Sequence, residues 1–295
     1  MNISFKITPN TNIYNHNSTL KSTPNRIVNN EKYLNFGATY TEAEIRAKQI
    51  LAKQRRENIK DINDDEYNEI MNYLIDNRSD LNSRYVPNNY FIDKSYCGNI
   101  PFEFMGVIPY CGYEDCNKHI NNFITGEEKF SSLEKETENE KFISALNYSL
   151  DRIDDRYGKY DGIVYRKGRF APSIPRFYST SANIPKDDYI YSNLENEFNN
   201  KKEINFNVIK LKNGHKLNSM LYEYATSGLK ELAEEEDEIL IDTKSKFNYL
   251  TEKEATPELR ELKENYYNII TKELKENHSE EELRNKIKIH LWEEI

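Results

Sequence analysis

The spacing of apolar residues along the chain changes near residue 158. Before that point they recur every three or four residues, which is the period of an amphipathic helix. After it they form short alternating or continuous runs, which are typical of strands. The predicted helices cover about 41–59, 67–75, 115–123 and 137–157, and the predicted strands cover 162–165, 177–180, 204–209, 238–241 and 247–250. Helices followed by strands indicate an α+β fold rather than an alternating α/β fold.

Capping residues predict where the helices begin. Thr41 and Thr137 are each followed three residues later by glutamate, which is the capping-box pattern. The helix over 67–75 would be capped by Asp64 or Asp65. In the strand-rich part, Asn213-Gly214 predicts a turn.

The last forty residues predict a return to helix. Thr256 is a good N-cap because proline, which suits the first helical position, follows it directly. A second helix would begin after Ser279 and carry Ile287 and Leu291 on its apolar face. Residues 253–295 are therefore predicted to form a C-terminal helical hairpin.

Composition limits the class of protein. The chain has 295 residues, a net charge of -9 and 31% charged residues, with the lysines dispersed among acidic residues. That distribution argues against a dedicated nucleic-acid binder, which concentrates positive charge. Residues 1–40 are rich in Asn, Ser and Thr without periodicity, so we expect a flexible leader that could act as a secretion signal. With no apolar run of the ~20 residues needed to cross a bilayer and no apolar signal peptide, we expect a soluble chain, exported if at all without a cleaved leader.

Other common sites find little support in the sequence. Three cysteines do not form a disulfide framework in a chain of this length. Cys97, Cys111, Cys116 and His119 loosely suggest zinc, but their spacing is not that of the usual close pairs, so no metal is predicted. The chain also lacks the glycine-rich phosphate loop and the nucleophile elbow of hydrolases.

Three short segments carry candidate chemistry. Arg166 ends a predicted strand, and Gly168 permits a tight turn that could aim the guanidinium at a phosphate. Residues 179–181 are Ser-Thr-Ser, three hydroxyls at the end of another strand. Glu236 and Glu238 precede an apolar strand, and residues two apart on a strand face the same way. Each segment alone is more often surface charge or local backbone bonding, but their order makes chance less probable.

These segments together resemble the Arg-Ser-Glu class of mono-ADP-ribosyltransferases, whose signature is an arginine strand, a Ser-Thr-Ser strand and a Glu-x-Glu pair. The segment 119–123, His-Ile-Asn-Asn-Phe, resembles a helical segment that these enzymes often carry upstream. The resemblance covers about residues 60–250. It implies an ADP-ribosyltransferase domain over 41–252, with a helical N-terminal lobe to about 157 followed by two packed β-sheets over 158–252. Lys167 departs from the pattern, because many members have glycine directly after the arginine.

The resemblance also implies roles and a co-substrate, NAD. Arg166 and Gly168 would bind its phosphates, and Ser179, Thr180 and Ser181 would line the nicotinamide pocket, with Ser179 supporting Glu238. Glu238 would stabilise the positive charge that develops on the ribose when the nicotinamide bond breaks. Glu236 would contact the incoming nucleophile as general base or orienting group. Glu234 with Glu236 offers a second register, but in the family the second glutamate directly precedes the apolar strand.

The function predicted from this resemblance is mono-ADP-ribosylation of a host protein by a secreted bacterial effector or toxin that acts in the host cytosol. A small GTPase, actin or ubiquitin could be the target, and the segment 221–235, with Tyr222 and Tyr224, would meet it. Two alternatives stay open. One is NAD glycohydrolysis, with water as the acceptor, and the other is a non-catalytic effector that binds a host protein.

Overall fold

The helices and strands follow the change of period seen in the sequence. The computed structural model describes residues 41–76, 99–112, 114–127, 133–168, 170–184, 193–224, 237–272 and 274–295. The α-helices in these ranges are α1 Glu42–Asn58, α2 Asp64–Asp76, α3 Ile108–Gly112, α4 Glu114–Thr125, α5 Leu133–Tyr157, α6 Leu194–Asn200, α7 Leu217–Tyr224, α8 Pro257–Ile270 and α9 Glu280–Lys286. The strands are β1 Tyr160–Lys167, β2 Tyr178–Ser181, β3 Ile204–Gly214, β4 Glu238–Ile241, β5 Phe247–Leu250 and β6 Ile287–Glu294. This arrangement confirms the α+β class. The predicted flexible leader, residues 1–40, lies outside the described residues.

Three of the predicted helix starts are confirmed. Thr41 forms a complete capping box with Glu44 at the start of α1. Thr256 accepts a hydrogen bond from the backbone of Leu259, and Pro257 is the first residue of α8. Ser279 forms the capping box that begins α9. These caps satisfy backbone N–H groups that have no partner inside the helix.

Two helix starts differ from the prediction. Asn63, not Asp64 or Asp65, caps α2, because its side chain accepts from the Glu66 backbone at 3.0 Å while the Glu66 carboxylate accepts from the Asn63 backbone. Helix α5 begins at Leu133, so Thr137 lies within it rather than at its start. The residues just before Thr137 are Leu-Glu-Lys-Glu, all good helix formers, and nothing in them prevents the helix from extending toward the N-terminus.

Buried apolar side chains of the helical part form one core against the sheet. The fully buried members include Tyr67, Met71, Phe123, Phe142 and Leu146. Phe177 and Leu240, which belong to the strand-rich part, pack into the same core. The helices thereby hold the segments around β2 and β4 in place.

No helix in the described ranges has the length and apolar character to cross a membrane.

The described strands form one mixed sheet in the order β4-β2-β1-β3-β6-β5. The predicted arrangement of two packed sheets is therefore wrong for these strands. The reason is a single registered pair, Tyr165 with Ser181, that joins the β2–β4 ladder to β1. On its other side β1 pairs antiparallel with β3 along nearly its whole length.

The predicted C-terminal helical hairpin is also wrong, because its second helix ends at Lys286 and the chain continues as a strand. Residues 287–294 form β6, which lies between β3 and β5 and runs parallel to β3. Ile287 and Leu291 share a face at spacing four in a helix and also at twice the two-residue period of a strand, so the pattern fits both. Ile289, between them, completes the strand alternation and packs with them against α8.

Strand β3 runs through the predicted turn at Asn213-Gly214, so that prediction is wrong as well. A glycine is needed there for another reason. A Cβ added to Gly214 would lie 2.5 Å from Cγ2 of Ile239, closer than real Cβ atoms approach. The end of β3 therefore approaches β4 directly, and the next residue, His215, forms a bridge with Leu240 of β4.

Candidate active site

Three neighbouring strands bring the candidate segments together. Tyr165 of β1 is opposite Ser181 of β2, and Ser181 is in turn opposite Glu238 of β4. Side chains directly opposite each other on paired strands have Cβ atoms about 5 Å apart. The strands that carry Arg166, the triplet 179–181 and Glu238 are therefore neighbours in the sheet, although the three segments are far apart in sequence.

Arg166 points its guanidinium toward β2. Its Nη1 donates a hydrogen bond to the backbone oxygen of Ser179, and its Cζ lies 5.4 Å from the centre of the Tyr178 ring. Burial lowers the pKa of the guanidinium, while the neighbouring charge of Glu238 favours its charged form. An arginine stays protonated in proteins, so the site holds a fixed positive charge beside the Ser-Thr-Ser strand.

A left-handed glycine turn ends the arginine strand. Gly168 has φ +91°, a conformation that favours glycine. Asn207 donates from Nδ2 to the Gly168 oxygen at 2.9 Å, and Trp292 of β6 donates to Oδ1 of Asn207 at 3.1 Å. Lys167, which departs from the family pattern, lies 3.3 Å from a carboxylate oxygen of Glu197. The extra lysine is therefore tied to α6, and the central sheet holds the turn.

The three hydroxyls of the triplet have different surroundings. Thr180 donates to the Ile239 oxygen at 2.6 Å, and Ser181 donates to the Asn183 oxygen at 2.7 Å. Within the described residues, the half-buried hydroxyl of Ser179 makes no hydrogen bond. Thr180 and Ser181 therefore brace the strands, and Ser179 keeps a hydroxyl that a ligand or a carboxylate could engage.

Glu238 is the first residue of β4 and is only 7% exposed. It follows Asp237, the one non-glycine residue with positive φ (44°) in the described part of the chain. Both carboxylate oxygens of Asp237 accept hydrogen bonds from side-chain amides, one from Asn183 and one from Asn218. Its backbone oxygen accepts from Ala182 at 3.0 Å. These bonds hold the strained residue, and with it the direction in which Glu238 leaves the turn.

Glu236, the other predicted carboxylate, lies outside the described residues, and so does Glu234 of the alternative register. The predicted target loop over 221–235 is described only to Tyr224, and these four residues are helical rather than loop. The backbone of Cys111 and Cys116 is helical, but their side chains, like Cys97, are outside the described part.

A buried charged cluster, formed by His215, Asp154 and Asp242, lies along the outer edge of β4. The backbone of His215 exchanges two hydrogen bonds with Leu240, at 2.9 and 3.0 Å. Its ring lies between Asp154, 3.0 Å from Nδ1, and Asp242, 3.9 Å from Nε2. Burial alone would lower the pKa of the imidazole, but the two carboxylates outweigh it and raise the pKa to about 9. The pKa of Asp242 is about 2, because the histidine outweighs the effect of burial. The cluster is thus an ion pair at neutral pH.

Sequence reasoning missed the residues that position the candidate site. Asparagine recurs throughout this chain, so Asn183, Asn207 and Asn218 carried no distinguishing pattern. Asn183 and Asp237 are 54 residues apart, and only the folded chain brings them together. The positive φ of Asp237 had one weak signal, since Asp tolerates the left-handed region better than most residues.

Comparison with known proteins finds only weak structural similarity. No protein family model matches the chain, and no curated protein matches it. Two solved structures are similar at 11% identity. One is the ADP-ribosyltransferase Vis in complex with the M6 inhibitor, with a TM-score of 0.37, covering 88% of this chain and 87% of Vis. The other is the Vis toxin, an ADP-ribosyltransferase from Vibrio splendidus, with a TM-score of 0.32, covering 88% of each chain. Both TM-scores are below 0.5, which is too low to support a function for this chain.

Proposed function

We propose that the protein is an NAD-dependent mono-ADP-ribosyltransferase that transfers ADP-ribose to a side chain of another protein and releases nicotinamide. One observation supports this most strongly. The arginine, the Ser-Thr-Ser triplet and the second glutamate of the Arg-Ser-Glu signature meet on adjacent strands, through the pairs Tyr165–Ser181 and Ser181–Glu238. A chance set of motifs would have no reason to meet in this way.

The surroundings of these residues fit NAD as substrate. Arg166 supplies a fixed positive charge with forked donors, which suits a phosphate group. Ser179 has a hydroxyl without a partner among the described residues. Glu238 is a carboxylate in a nearly buried position, where its charge acts with little screening by water.

The proposed reaction breaks the bond between nicotinamide and the ribose. Nicotinamide leaves with the bonding electron pair, and positive charge develops on the ribose carbon. Glu238 would stabilise that charge, and Ser179 would orient Glu238. An acceptor side chain then forms the new bond to the carbon, and its proton passes to Glu236 in the proposed role of general base. The proposed setting is a bacterial effector acting on a host cytosolic protein, with small GTPases, actin and ubiquitin as candidates.

Labelled NAD incubated with host lysate tests the proposal. The wild-type protein should label one or a few proteins, and the double variant Glu236→Ala, Glu238→Ala should label none. Mass spectrometry of the labelled protein would then identify the acceptor residue. Labelling that persists in the double variant would refute the proposed catalytic pair.

Two further measurements separate the alternatives. Nicotinamide release at the same rate with and without lysate, and without labelling, would instead indicate an NAD glycohydrolase. Absence of any thermal stabilisation by NAD would indicate a non-catalytic protein, because a ligand at a hundred times its Kd stabilises by about 2.7 kcal/mol.

A further inference from the structure

A second arginine lies beside the candidate site. Arg176 precedes β2 by two residues, and its Cζ lies 5.5 Å from the centre of the Tyr178 ring. Arg166 approaches the same ring at 5.4 Å. Two groups that stay positively charged therefore share one aromatic side chain. Each repels the other, and the proximity of Arg176 contributes to the lowered pKa of Arg166.

The charge of Arg176 has no counterpart in the described part of the protein. Within those ranges its guanidinium makes no hydrogen bond or ion pair, and its Nε is buried without an acceptor. A buried donor without a partner is costly, so such groups commonly indicate a ligand or a functional role. The interaction with the Tyr178 ring satisfies none of the N–H groups as a hydrogen-bond acceptor would.

One carboxylate lines the same cavity as Arg176, but it is already engaged. Asp242 lines the same small cavity as Arg176, together with Thr243 and Phe247. Its Oδ1 accepts from the backbone of Lys244 at 2.7 Å and of Ser245 at 2.9 Å. Its Oδ2 faces the His215 ring. The carboxylate of Asp242 is therefore engaged by His215 and by two backbone N–H groups, and it forms no ion pair with Arg176 within the described residues.

We propose that Arg176 and Arg166 together form a site for the diphosphate group of a dinucleotide, with Arg176 as a second binding residue. A diphosphate carries two negative charges and several acceptor oxygens, so it can satisfy two forked donors at once. The identification of the ligand as NAD rests on the proposed function. The presence of an anion site rests on the two arginines alone.

Calorimetric binding measurements on the full chain test this site. The ligands are inorganic pyrophosphate, ADP-ribose and nicotinamide riboside, which lacks phosphate. Arg176→Gln should weaken binding of pyrophosphate and ADP-ribose by roughly 10- to 100-fold, the loss expected for a charge-assisted hydrogen bond. Binding of the riboside should not change. The matched control is Arg260→Gln, which removes an exposed arginine of α8 and should bind like the wild type.

Wild-type protein gives a second readout that needs no variant. Phenylglyoxal modifies arginine side chains, and mass spectrometry reports the extent at each position. Saturating ADP-ribose should protect Arg176, which is only partly buried, and should leave Arg260 unprotected. Equal modification of Arg176 with and without the ligand would overturn the inference, even if the Gln variant does not fold.

The outcomes separate this inference from the proposed function. If NAD is cleaved and Arg176→Gln binds ADP-ribose normally, the second arginine is structural and only the inference fails. If pyrophosphate binds through Arg176 but NAD is neither bound nor cleaved, the anion site stands and the proposed function fails. If wild-type protein binds none of the phosphate ligands, both are wrong.

Discussion

The two charged groups of the candidate site are positioned in different ways. Arg166 lies on β1, a strand flanked on both sides, and the turn after it uses a glycine with φ +91°. Glu238 lies on β4, at the end of the described sheet, and the turn before it uses an aspartate with φ 44°. The glycine adopts this conformation without steric cost, whereas the aspartate adopts it against its preference.

Different contacts hold the turn after Arg166 and the turn before Glu238, called here the arginine side and the glutamate side of the site. The arginine turn is held by the sheet itself, through Asn207 of β3 and Trp292 of β6. The glutamate turn is held by two amides from outside β4, those of Asn183 and Asn218. The backbone of His215 pairs with Leu240 on the outer edge of the strand. We therefore expect changes on the glutamate side to impair the chemical step and changes on the arginine side to impair substrate binding.

Replacing the carboxylate itself should have the largest effect. Glu238→Gln keeps the shape of the side chain but removes the charge that would stabilise the transition state. We expect kcat for nicotinamide release to fall by about 10²- to 10³-fold, the cost of losing one electrostatic stabiliser. The Kd for NAD should change little. Steady-state kinetics with a coupled nicotinamide assay would measure the first, and calorimetry the second.

The control for this variant is Glu258→Gln, which changes an exposed glutamate in the first turn of α8. It should behave like the wild type in both assays. A Glu238→Gln variant with full activity would show that the carboxylate on β4 is not catalytic.

The buried histidine predicts a pH dependence of stability on the glutamate side. The pKa of His215 is about 9 in the folded protein, against 6.5 for an ordinary histidine. The stabilisation by the protonated His215 ring is therefore complete below pH 6.5 and is lost as the pH rises through 9. By linkage, the wild type should lose about 3 kcal/mol of unfolding free energy over that range, and His215→Gln should not. Urea denaturation at a series of pH values measures this.

A second histidine variant tests whether the slope belongs to this cluster. His278, which pairs with Glu195 at 2.8 Å, can be replaced by glutamine. The pH slope of the wild type should persist in His278→Gln. An unchanged slope in His215→Gln would mean that His215 does not carry a positive charge at neutral pH.

Sequence patterns predict those parts of the candidate site that lie within short segments of the chain. Arg166, Gly168, the triplet 179–181 and Glu238 each belong to a short motif beside a predicted strand, so a local pattern is enough to propose them as candidates. The residues that hold them were not identified. Their hydrogen bonds join positions distant in sequence, such as Trp292 with Asn207, and no short window contains both partners.

The C-terminal strand shows the same limit at the level of the fold. Its pairing with β3 depends on a partner some eighty residues earlier, as in the pair Ile204–Ile287. The apolar spacing of Ile287 and Leu291 fits a helix and a strand equally. Only the pairing with β3 and the packing on α8 decide between them, and neither is encoded in the local pattern.

Breaking the amide contacts to Asp237 should have an intermediate effect. Asp237→Gly retains access to positive φ and removes both hydrogen bonds, so it isolates the contribution of the amides. Hydrogen bonds to charged groups are worth about 1.5–3 kcal/mol, and we expect kcat to fall by roughly tenfold or more with little change in KM for NAD. Asn218→Ala, which removes one of the two donors, should show a smaller fall in the same direction.

The matched control is Asn200→Ala, because the amide of Asn200 bonds only within α6. It should leave kcat unchanged. If Asp237→Gly instead raises KM and leaves kcat unchanged, the turn contributes to binding rather than to the position of Glu238, and the contrast between the two turns is lost.

The smallest predicted effect concerns the glycine of the arginine turn. A Cβ added to Gly168 would meet no atom of the described residues within 4 Å, so Gly168→Ala introduces mainly the backbone strain of positive φ. That strain costs about 1–2 kcal/mol of unfolding free energy. Because Arg166 is two residues away, we also expect KM for NAD to rise while kcat stays nearly constant. Gly158 offers a matched control, since it has φ 69°, equally open surroundings and no link to the arginine. Gly158→Ala should lose similar stability without a change in KM, and equal KM values in the two variants would show that the turn does not position Arg166.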